Sequence, residues 1–206
     1  ANEYANPDTL GPMPIGGKLL AAYFQSVTLR TAGFITLPQA ALEEGSKLFS
    51  CVLMLIGGSP GGTAGGMKTI TFAVIILSAW NTIRGKSRVN LFGRTMGLGS
   101  LQKALTVALA MVFLWFSGSL ALSFTEAASA FHHTALDILF ETASALGTVG
   151  VSTGLTPHLS VAGKVILILC MYIGRIGPLT LVVSISRRGD NAGERIRYPN
   201  EDVLIG

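Results

Sequence analysis

The amino-acid sequence predicts an all-α integral membrane protein. Hydrophobic residues make up 50% of its 206 residues and charged residues only 13%, and its mean hydropathy is +0.56. This balance is typical of membrane proteins. The segment 25–34 also aligns with the segment 142–151 at an offset of 117 residues, and the alignment continues without a gap to Gly57 and Gly174. We therefore expect two copies of one unit, each a short helix, a glycine turn and a long apolar helix.

The two short helices, at 18–29 and 131–146, contain fewer than the roughly 20 residues that cross a bilayer. We expect each to be re-entrant; for the first, a capped surface helix is the alternative. The turn after each helix contains a glycine, whose positive φ lets neighbouring carbonyl oxygens face one cation. An ordinary turn is the alternative. The residues predicted to bind ions, as a selectivity filter, are Thr31, Ala32, Gly33, Thr148, Val149 and Gly150.

The apolar stretch 48–80 is too long for one straight span, since its 33 residues would form about 50 Å of helix against a hydrocarbon core of about 30 Å. Six glycines and a proline interrupt it between residues 57 and 66. We interpret the interruption as an intramembrane loop that acts as a gate. The loop residues assigned to the gate are Gly57, Gly58, Gly61, Gly62, Gly65, Gly66 and Lys68.

Two other interpretations of this glycine-rich loop can be compared with the first. Gly57, Gly61 and Gly65 occur at every fourth position, which also suits close packing of two membrane helices. A phosphate-binding loop needs a lysine directly after its last glycine, and here Met67 intervenes. Helix packing therefore remains an alternative, whereas nucleotide binding is not favoured.

The basic residues predict the orientation of the chain. They are concentrated after residue 83 and again after residue 186, and by the positive-inside rule both segments face the cytoplasm. The N-terminus is then outside, and spans at 48–80, 101–124 and 161–186 give three crossings. The predicted division is 1–83 for the pore helix, filter loop and broken second helix of the first copy, 84–100 for a cytoplasmic basic loop, 101–190 for the complete second copy, and 191–206 for a cytoplasmic tail.

Arg175 is the most unusual residue of the last predicted span. It lies about 18 Å of helix from Arg187, near the middle of the membrane, with no acidic residue three or four positions away. In the repeat it aligns with Gly58, at the start of the loop. We expect its guanidinium to bond carbonyl oxygens of the loop and to repel cations, so that it completes the gate. A purely structural arginine is the alternative. Cys51 and Cys170 lie within apolar segments and are predicted to be core residues.

These residues resemble the Trk/Ktr/HKT superfamily of potassium transporters, and most closely its Ktr-type membrane subunit. The resemblance is carried by the segments 28–34, 56–69, 146–157 and 172–180 and covers almost the whole chain. It implies membrane–pore-helix–membrane repeats with re-entrant pore loops, four of them around one cation pore. This chain resembles the third repeat without its first helix, followed by the complete fourth. We expect the other repeats upstream of a start that shows no signal peptide.

The resemblance implies uptake of K⁺, with Na⁺ as a second candidate ion, through the plasma membrane. It also implies the partners: the lipid bilayer, the remaining repeats, a second copy in a homodimer, and a cytoplasmic nucleotide-binding regulatory subunit. No cofactor, catalytic site or nucleic-acid partner is expected, since the chain has no phosphate-binding loop and its basic segments lack interleaved aromatic residues. A non-transporting assembly or regulatory membrane subunit is the alternative function.

Overall fold

Six α-helices make up most of the described part of the chain. The computed structural model describes residues 2–85, 90–91, 94–95, 98–127, 131 and 133–177. The helices are α1 (Ile15–Thr28), α2 (Glu44–Leu55), α3 (Thr69–Ile83), α4 (Leu98–Glu126), α5 (Ala135–Gly147) and α6 (Val161–Ile176). Short 3₁₀ turns lie at Asn2–Tyr4, Gln39–Ala41 and Thr156–His158. The protein is therefore helical, as the sequence predicted.

Two short strands are also present, which the sequence did not predict. β1 (Asn90–Leu91) pairs with β2 (Arg94–Thr95) in an antiparallel ladder, within the segment predicted to be a basic loop. Each strand has two residues, so the all-α class is unchanged. The predicted continuation of the last span to residue 186 and the predicted tail at 191–206 lie outside the described residues.

The two copies of the repeat contain the same elements in the same order. Each has a short helix, α1 or α5, followed by a turn and a second helix, α2 or α6. The second helices begin at Glu44 and Val161, which are 117 residues apart. They differ at their ends, because α2 stops at Leu55 whereas α6 continues to Ile176. The first copy then contains an irregular loop before α3.

Side-chain caps fix where the helices of the second copy begin. The hydroxyl of Thr134 accepts a hydrogen bond from the amide of Asp137 at 3.2 Å, and the amide of Thr134 donates to the Asp137 carboxylate at 3.0 Å. This reciprocal capping box satisfies amides that the first turn of α5 leaves free. The Ser160 hydroxyl likewise accepts from the amide of Gly163 at 3.1 Å, at the start of α6.

The helix α5 lies at the centre of the core, where it contacts α2, α4 and α6. Every residue from 140 to 147 is buried, so this part of α5 is enclosed on all sides. Phe140 and Leu146 pack in one cluster with Met54 of α2 and Met111 of α4. The two cysteines are both buried with free thiols, as the sequence predicted.

The helix α4 has the length and composition of a membrane span. Within it, Gly99–Glu126 contains 28 residues with a mean hydropathy of 2.0, and it alone among the described helices is both long and apolar enough to cross a bilayer. The predicted span at 48–80 is divided into α2 and α3, of 12 and 15 residues. Each is shorter than the roughly 20 residues that a continuous span needs.

Candidate functional site

The two glycine turns have the same backbone conformation. Thr31 and Gly33 have φ angles of 66° and 77°, and Thr148 and Gly150 have φ angles of 54° and 90°. The sequence predicted a positive φ for the glycine but not for the threonine, whose β-branched side chain disfavours that region. Thr31 and Thr148 are the two non-glycine residues with positive φ in the described part of the chain. Such strain is often found at functional sites.

The turns, far apart in the sequence, meet through their backbones. A Cβ atom placed on Gly33 would lie 2.5 Å from the carbonyl oxygen of Val149 and 3.8 Å from the Cα of Gly150. A side chain at Gly33 would therefore collide with the second turn, apart from any effect on its φ angle. The structure thus brings the two predicted filter segments, 31–33 and 148–150, into contact.

A hydroxyl group in the last turn of each short helix holds the residue that follows the filter glycine. The Thr28 hydroxyl accepts from the amide of Phe34 at 2.8 Å and donates to its carbonyl oxygen at 2.6 Å. In the second copy the Ser144 hydroxyl accepts from the amide of Val151 at 3.1 Å. Phe34 and Val151 are equivalent in the repeat. Neither hydroxyl was predicted to have a role. The only indication in the sequence was a polar residue within an apolar helix.

Glu141 is a buried carboxylate that holds the segment after the second turn. Its side chain accepts from the Ser152 hydroxyl at 2.5 Å, from the Thr153 amide at 2.9 Å and hydroxyl at 3.2 Å, and from the Thr156 hydroxyl at 2.7 Å. Burial of a carboxylate is tolerated when its oxygens are fully hydrogen-bonded. Glu141 was not predicted as a site residue either, although it is an acid in the apolar second half of α5.

The glycine-rich loop begins where α2 ends, at the position that the sequence predicted for a helix break. Its two ends are joined by hydrogen bonds from the Met67 amide to the Leu55 carbonyl at 2.9 Å and from the Gly57 amide to the Met67 carbonyl at 2.8 Å. Gly57 and Gly65 approach closely, since a Cβ on Gly57 would contact the Gly65 carbonyl oxygen. Both glycines lie outside any helix. Their spacing therefore serves the loop itself, and the alternative of helix packing is wrong.

The loop contacts the second filter turn directly. The amide of Gly65 donates a hydrogen bond of 3.0 Å to the hydroxyl of Thr148. A Cβ on Gly65 would lie 2.9 Å from the carbonyl oxygen of Gly147, so only glycine allows this approach. The tip of the loop, at 61–63, is exposed. The loop is thus anchored at its base and against the filter turn.

Lys68 rather than Arg175 bonds the carbonyl oxygens of the loop. The Lys68 ammonium donates to the carbonyls of Gly62 at 3.1 Å and Ala64 at 2.8 Å. Arg175 is exposed and forms no hydrogen bond with the described residues of the loop. The expected bonds from its guanidinium to loop carbonyls are therefore not found among the described residues, where Lys68 binds two of these carbonyls.

Arg175 nevertheless lies beside both the filter turn and the loop. It lines a cavity of about 770 Å³ together with Thr148 and Gly150. A second cavity, of about 380 Å³, is bordered by Arg175 and by the loop residues Gly62 and Lys68. Arg175 therefore borders both cavities, whereas Lys68 borders only the one beside the loop. The lining of the larger cavity also includes Glu141 and the hydroxyl residues Ser144, Ser152 and Thr156.

Comparison with known proteins shows the family of this chain. Residues 5–192 match the family model described as TrkH: Cation transport protein. The chain is 46% identical over 204 residues to Ktr system potassium uptake protein B of Bacillus subtilis, and the alignment covers 99% of this chain and 44% of the relative. It is 36% identical over 192 residues to potassium/sodium uptake protein NtpJ of Enterococcus hirae, covering 92% of this chain and 42% of the relative.

A third relative is Ktr system potassium uptake protein D of Bacillus subtilis, which is 38% identical over 188 residues, or 91% of this chain and 40% of the relative. The chain thus spans less than half the length of the curated relatives it matches. The match to the family model covers most of the sequence, and these relatives are transporters rather than enzymes. The apolar helix α4 is long enough to cross a membrane. This chain belongs to the TrkH family of cation transport proteins.

Proposed function

We propose that this chain forms part of the pore of a transporter that takes up K⁺ across the plasma membrane. The observation that carries the proposal is the backbone contact between Gly33 and Val149, which places the two glycine turns side by side. The relatives named as potassium uptake proteins support K⁺ as the ion. The relative named for potassium and sodium leaves Na⁺ as a second ion.

The filter consists of backbone carbonyls of the segments 31–33 and 148–150, which replace part of the hydration shell of the ion. The short helices α1 and α5 are re-entrant and end at these turns. Their C-terminal ends, which carry partial negative charge, are therefore directed at the ion. Thr28, Ser144 and Glu141 keep the turns in shape through the hydrogen bonds described above.

The gate consists of the glycine loop and the two cations beside it. The loop lies against the filter turn when the Gly65 amide bonds Thr148, and withdrawal of the loop breaks that bond. Lys68 stabilises the closed loop by binding its carbonyls, and Arg175 repels ions in the adjacent cavity. Opening requires the loop to move, and its many glycines give it the conformational freedom to do so.

The complete pore requires repeats beyond those in this chain. We propose a ring of four repeats, with the first copy within 1–83 and the second within 101–190, joined by a cytoplasmic loop at 84–100 and followed by a cytoplasmic tail at 191–206. The N-terminus of this chain is outside. K⁺ then moves passively down its electrochemical gradient, to which the membrane potential contributes about 2.3 kcal/mol per charge per 100 mV. Partners are a second transporter in a homodimer and a cytoplasmic nucleotide-binding regulatory subunit.

Ion flux into liposomes tests this function. The complete transporter, reconstituted with a K⁺ gradient, is expected to conduct K⁺. The remaining repeats without this chain, and this chain without them, are both expected to be silent. Selective K⁺ flux through the remaining repeats alone would instead assign this chain a non-transporting assembly or regulatory role.

A further inference from the structure

A network of polar side chains joins α4 to α5 in the interior of the protein. The indole N–H of Trp115, in α4, donates a hydrogen bond of 2.9 Å to the carbonyl oxygen of Leu139, in α5. One turn further along α4, the hydroxyl of Ser119 lies 2.6 Å from the hydroxyl of Thr142. Trp115, Ser119 and Thr142 are all buried. Two hydrogen bonds, one turn apart, therefore connect the same two helices.

The two hydroxyl groups share two protons among several acceptors. The Ser119 hydroxyl lies 2.8 Å from the carbonyl oxygen of Trp115. The Thr142 hydroxyl lies 2.9 Å and 3.1 Å from the carbonyl oxygens of Ile138 and Leu139. Each hydroxyl has one proton to donate. If Ser119 donates to Thr142, Thr142 donates to a carbonyl of α5, and if Thr142 donates to Ser119, Ser119 donates to the carbonyl of Trp115. The bond between the helices is kept in either order.

Ser119 differs from an ordinary serine of an apolar helix. Such a serine commonly bonds a carbonyl of the preceding turn of its own helix. Ser117 does so, because its exposed hydroxyl donates to the carbonyl of Leu114 at 3.1 Å. Ser119 lies on the buried face of α4, between Trp115 and Leu122, and also reaches the neighbouring helix. Hydrogen bonds of this kind hold helices together within a membrane.

The second filter turn is hydrogen-bonded to the end of α5. The amides of Thr148 and Val149 donate to the carbonyls of Ala145 and Ser144 at 3.1 and 2.9 Å. Thr142 precedes Thr148 by six residues, or about 9 Å along a helix. A backbone with strained φ angles persists only where its surroundings fix it. We therefore expect a shift or rotation of α5 to displace the turn.

The short helix of the first copy is held in another way. Gln25 of α1 is equivalent to Thr142 in the repeat, and its side chain donates to the side chain of Gln39 at 2.6 Å. Gln39 belongs to the segment after the first filter turn. Among the described residues, α1 is thus bonded to the segment that follows it, whereas α5 is bonded to the long helix that precedes it.

We propose that Trp115 and Ser119 are positioning residues for ion selection, which hold α5 so that the carbonyl oxygens of 148–150 stay aligned with those of 31–33. The inference rests on the proposed filter. Neither residue is among the described residues that line the cavity of about 770 Å³ beside the second filter turn. They therefore act on the ion only through α5. Loss of either bond widens the range of positions of the turn and weakens the discrimination between K⁺ and the smaller Na⁺.

The ratio of K⁺ to Na⁺ uptake by the complete transporter tests the proposal. Trp115→Phe keeps an aromatic ring without an N–H, and Ser119→Ala and Thr142→Val each remove a hydroxyl. Each is expected to lower the ratio several-fold. Combining Ser119→Ala with Thr142→Val is expected to lower it no further than the larger single effect, because the same bond is lost. Thr142→Ser retains a hydroxyl and is expected to keep the original ratio.

Two substitutions outside the network are matched controls. Trp80→Phe removes an indole N–H from an exposed position of α3, and Ser117→Ala removes a hydroxyl that bonds a carbonyl of α4 itself. Both are expected to leave the ratio unchanged. Melting temperatures of the same proteins report the stability of the fold. A lower melting temperature with a normal ratio in Trp115→Phe and Ser119→Ala would overturn the proposal, since the network would then only stabilise the protein.

Gly150→Ser, in the filter turn itself, separates failure of this inference from failure of the proposed filter. A lower ratio in Gly150→Ser with a normal ratio in Ser119→Ala would overturn the positioning role alone. A normal ratio in both would overturn the filter as well. If Trp115→Phe does not fold, Ser119→Ala decides, because it removes a single oxygen atom and leaves the packing of Trp115 intact.

Discussion

The hydroxyl of Thr148 accepts a hydrogen bond of 3.0 Å from the amide of Gly65, a residue 83 positions away in the sequence. Thr148 is also the residue of the second filter turn with a left-handed backbone. Its strained conformation and its contact with the loop therefore occur at the same point. If the loop moves, as proposed for the gate, this bond must break.

Removing the Thr148 hydroxyl is expected to favour the open loop. Thr148→Val keeps the β-branched shape but loses the acceptor, and a net hydrogen bond contributes about 1 kcal/mol, or roughly a five-fold shift in an equilibrium. We expect a several-fold higher rate of ⁸⁶Rb⁺ uptake per folded transporter in the absence of activator. Thr148→Ser, which retains a hydroxyl, is the control. An unchanged rate for Thr148→Val would show that the bond does not hold the loop closed.

The two filter glycines are expected to differ in their response to substitution. Gly150→Ser adds a Cβ that would lie 3.8 Å from the Cα of Gly33, which is an ordinary van der Waals contact. Its effect therefore comes from the backbone strain at a φ angle of 90°. Gly33→Ala adds the same strain and also a collision with the Val149 carbonyl. We expect Gly150→Ser to lower the K⁺/Na⁺ uptake ratio with modest loss of folded protein, and Gly33→Ala to cause greater loss of both.

Gly154 provides a matched control for these two variants. Its φ angle is 95°, and an added Cβ would meet open space. Gly154→Ser therefore carries a similar backbone strain outside the proposed filter, and the K⁺/Na⁺ uptake ratio is expected to stay normal. If Gly150→Ser leaves that ratio unchanged as well, the turn is not a filter.

Shortening the loop is expected to remove the gate. Deletion of 61–65 removes the Gly65 amide that bonds Thr148 and the carbonyls that bind Lys68. We expect faster K⁺ uptake that depends less on the regulatory partner. Lys68→Met is a second, less disruptive variant. It keeps the length of the loop and removes only the ammonium group that binds the loop carbonyls. A folded deletion variant that conducts no faster would assign the loop a packing role.

Arg175 is expected to act through its charge alone. It lines the cavity beside Thr148 and Gly150 but makes no hydrogen bond to the described loop residues. Arg175→Ala therefore removes a repulsive charge, and we expect faster K⁺ uptake without activator. Arg175→Lys keeps the charge and is expected to behave nearly as the original protein. A normal or reduced rate for Arg175→Ala, normalised to folded protein, would contradict this role.

Glu141 and Glu126 allow a paired test of the segment after the filter. Both carboxylates are buried, at 3% and 2% exposure. Glu141 accepts hydrogen bonds from residues in 152–156. Glu126 accepts them from the amide and hydroxyl of Ser160. Substitution by Gln weakens charge-assisted hydrogen bonds and is expected to lower the free energy of unfolding by about 1–3 kcal/mol in each case. Only Glu141→Gln is expected to lower the K⁺/Na⁺ uptake ratio as well. Equal ratios in both variants would contradict a role of Glu141 in the filter.

The sequence predicted those features that depend on local residue type. Proline and paired glycines end a helix wherever they occur, so the break after Leu55 could be placed. The offset of 117 residues likewise revealed that the two glycine turns are equivalent. Glycine in a turn predicted positive φ at Gly150 but gave no reason to expect it at Thr148.

Other features of the site depend on tertiary contacts that no local pattern records. The donors to Glu141 become neighbours only when the chain turns back after the filter. Lys68 donates to a carbonyl oxygen of the loop because it lies at the end of the same loop. Arg175 lies in another helix. The charge and expected depth of Arg175 follow from the sequence. The distances from Lys68 and Arg175 to the loop carbonyls depend on the tertiary structure.

The burial of both cysteines of this chain allows the exposed tip of the glycine-rich loop to be labelled selectively. Their thiols are enclosed in the helical core, so they are shielded from maleimide reagents. Thr63, at the exposed tip of the loop, can be replaced by cysteine with little change in size. A spin label or fluorophore attached there reports the mobility and surroundings of the loop tip, without removal of the two thiols of this chain.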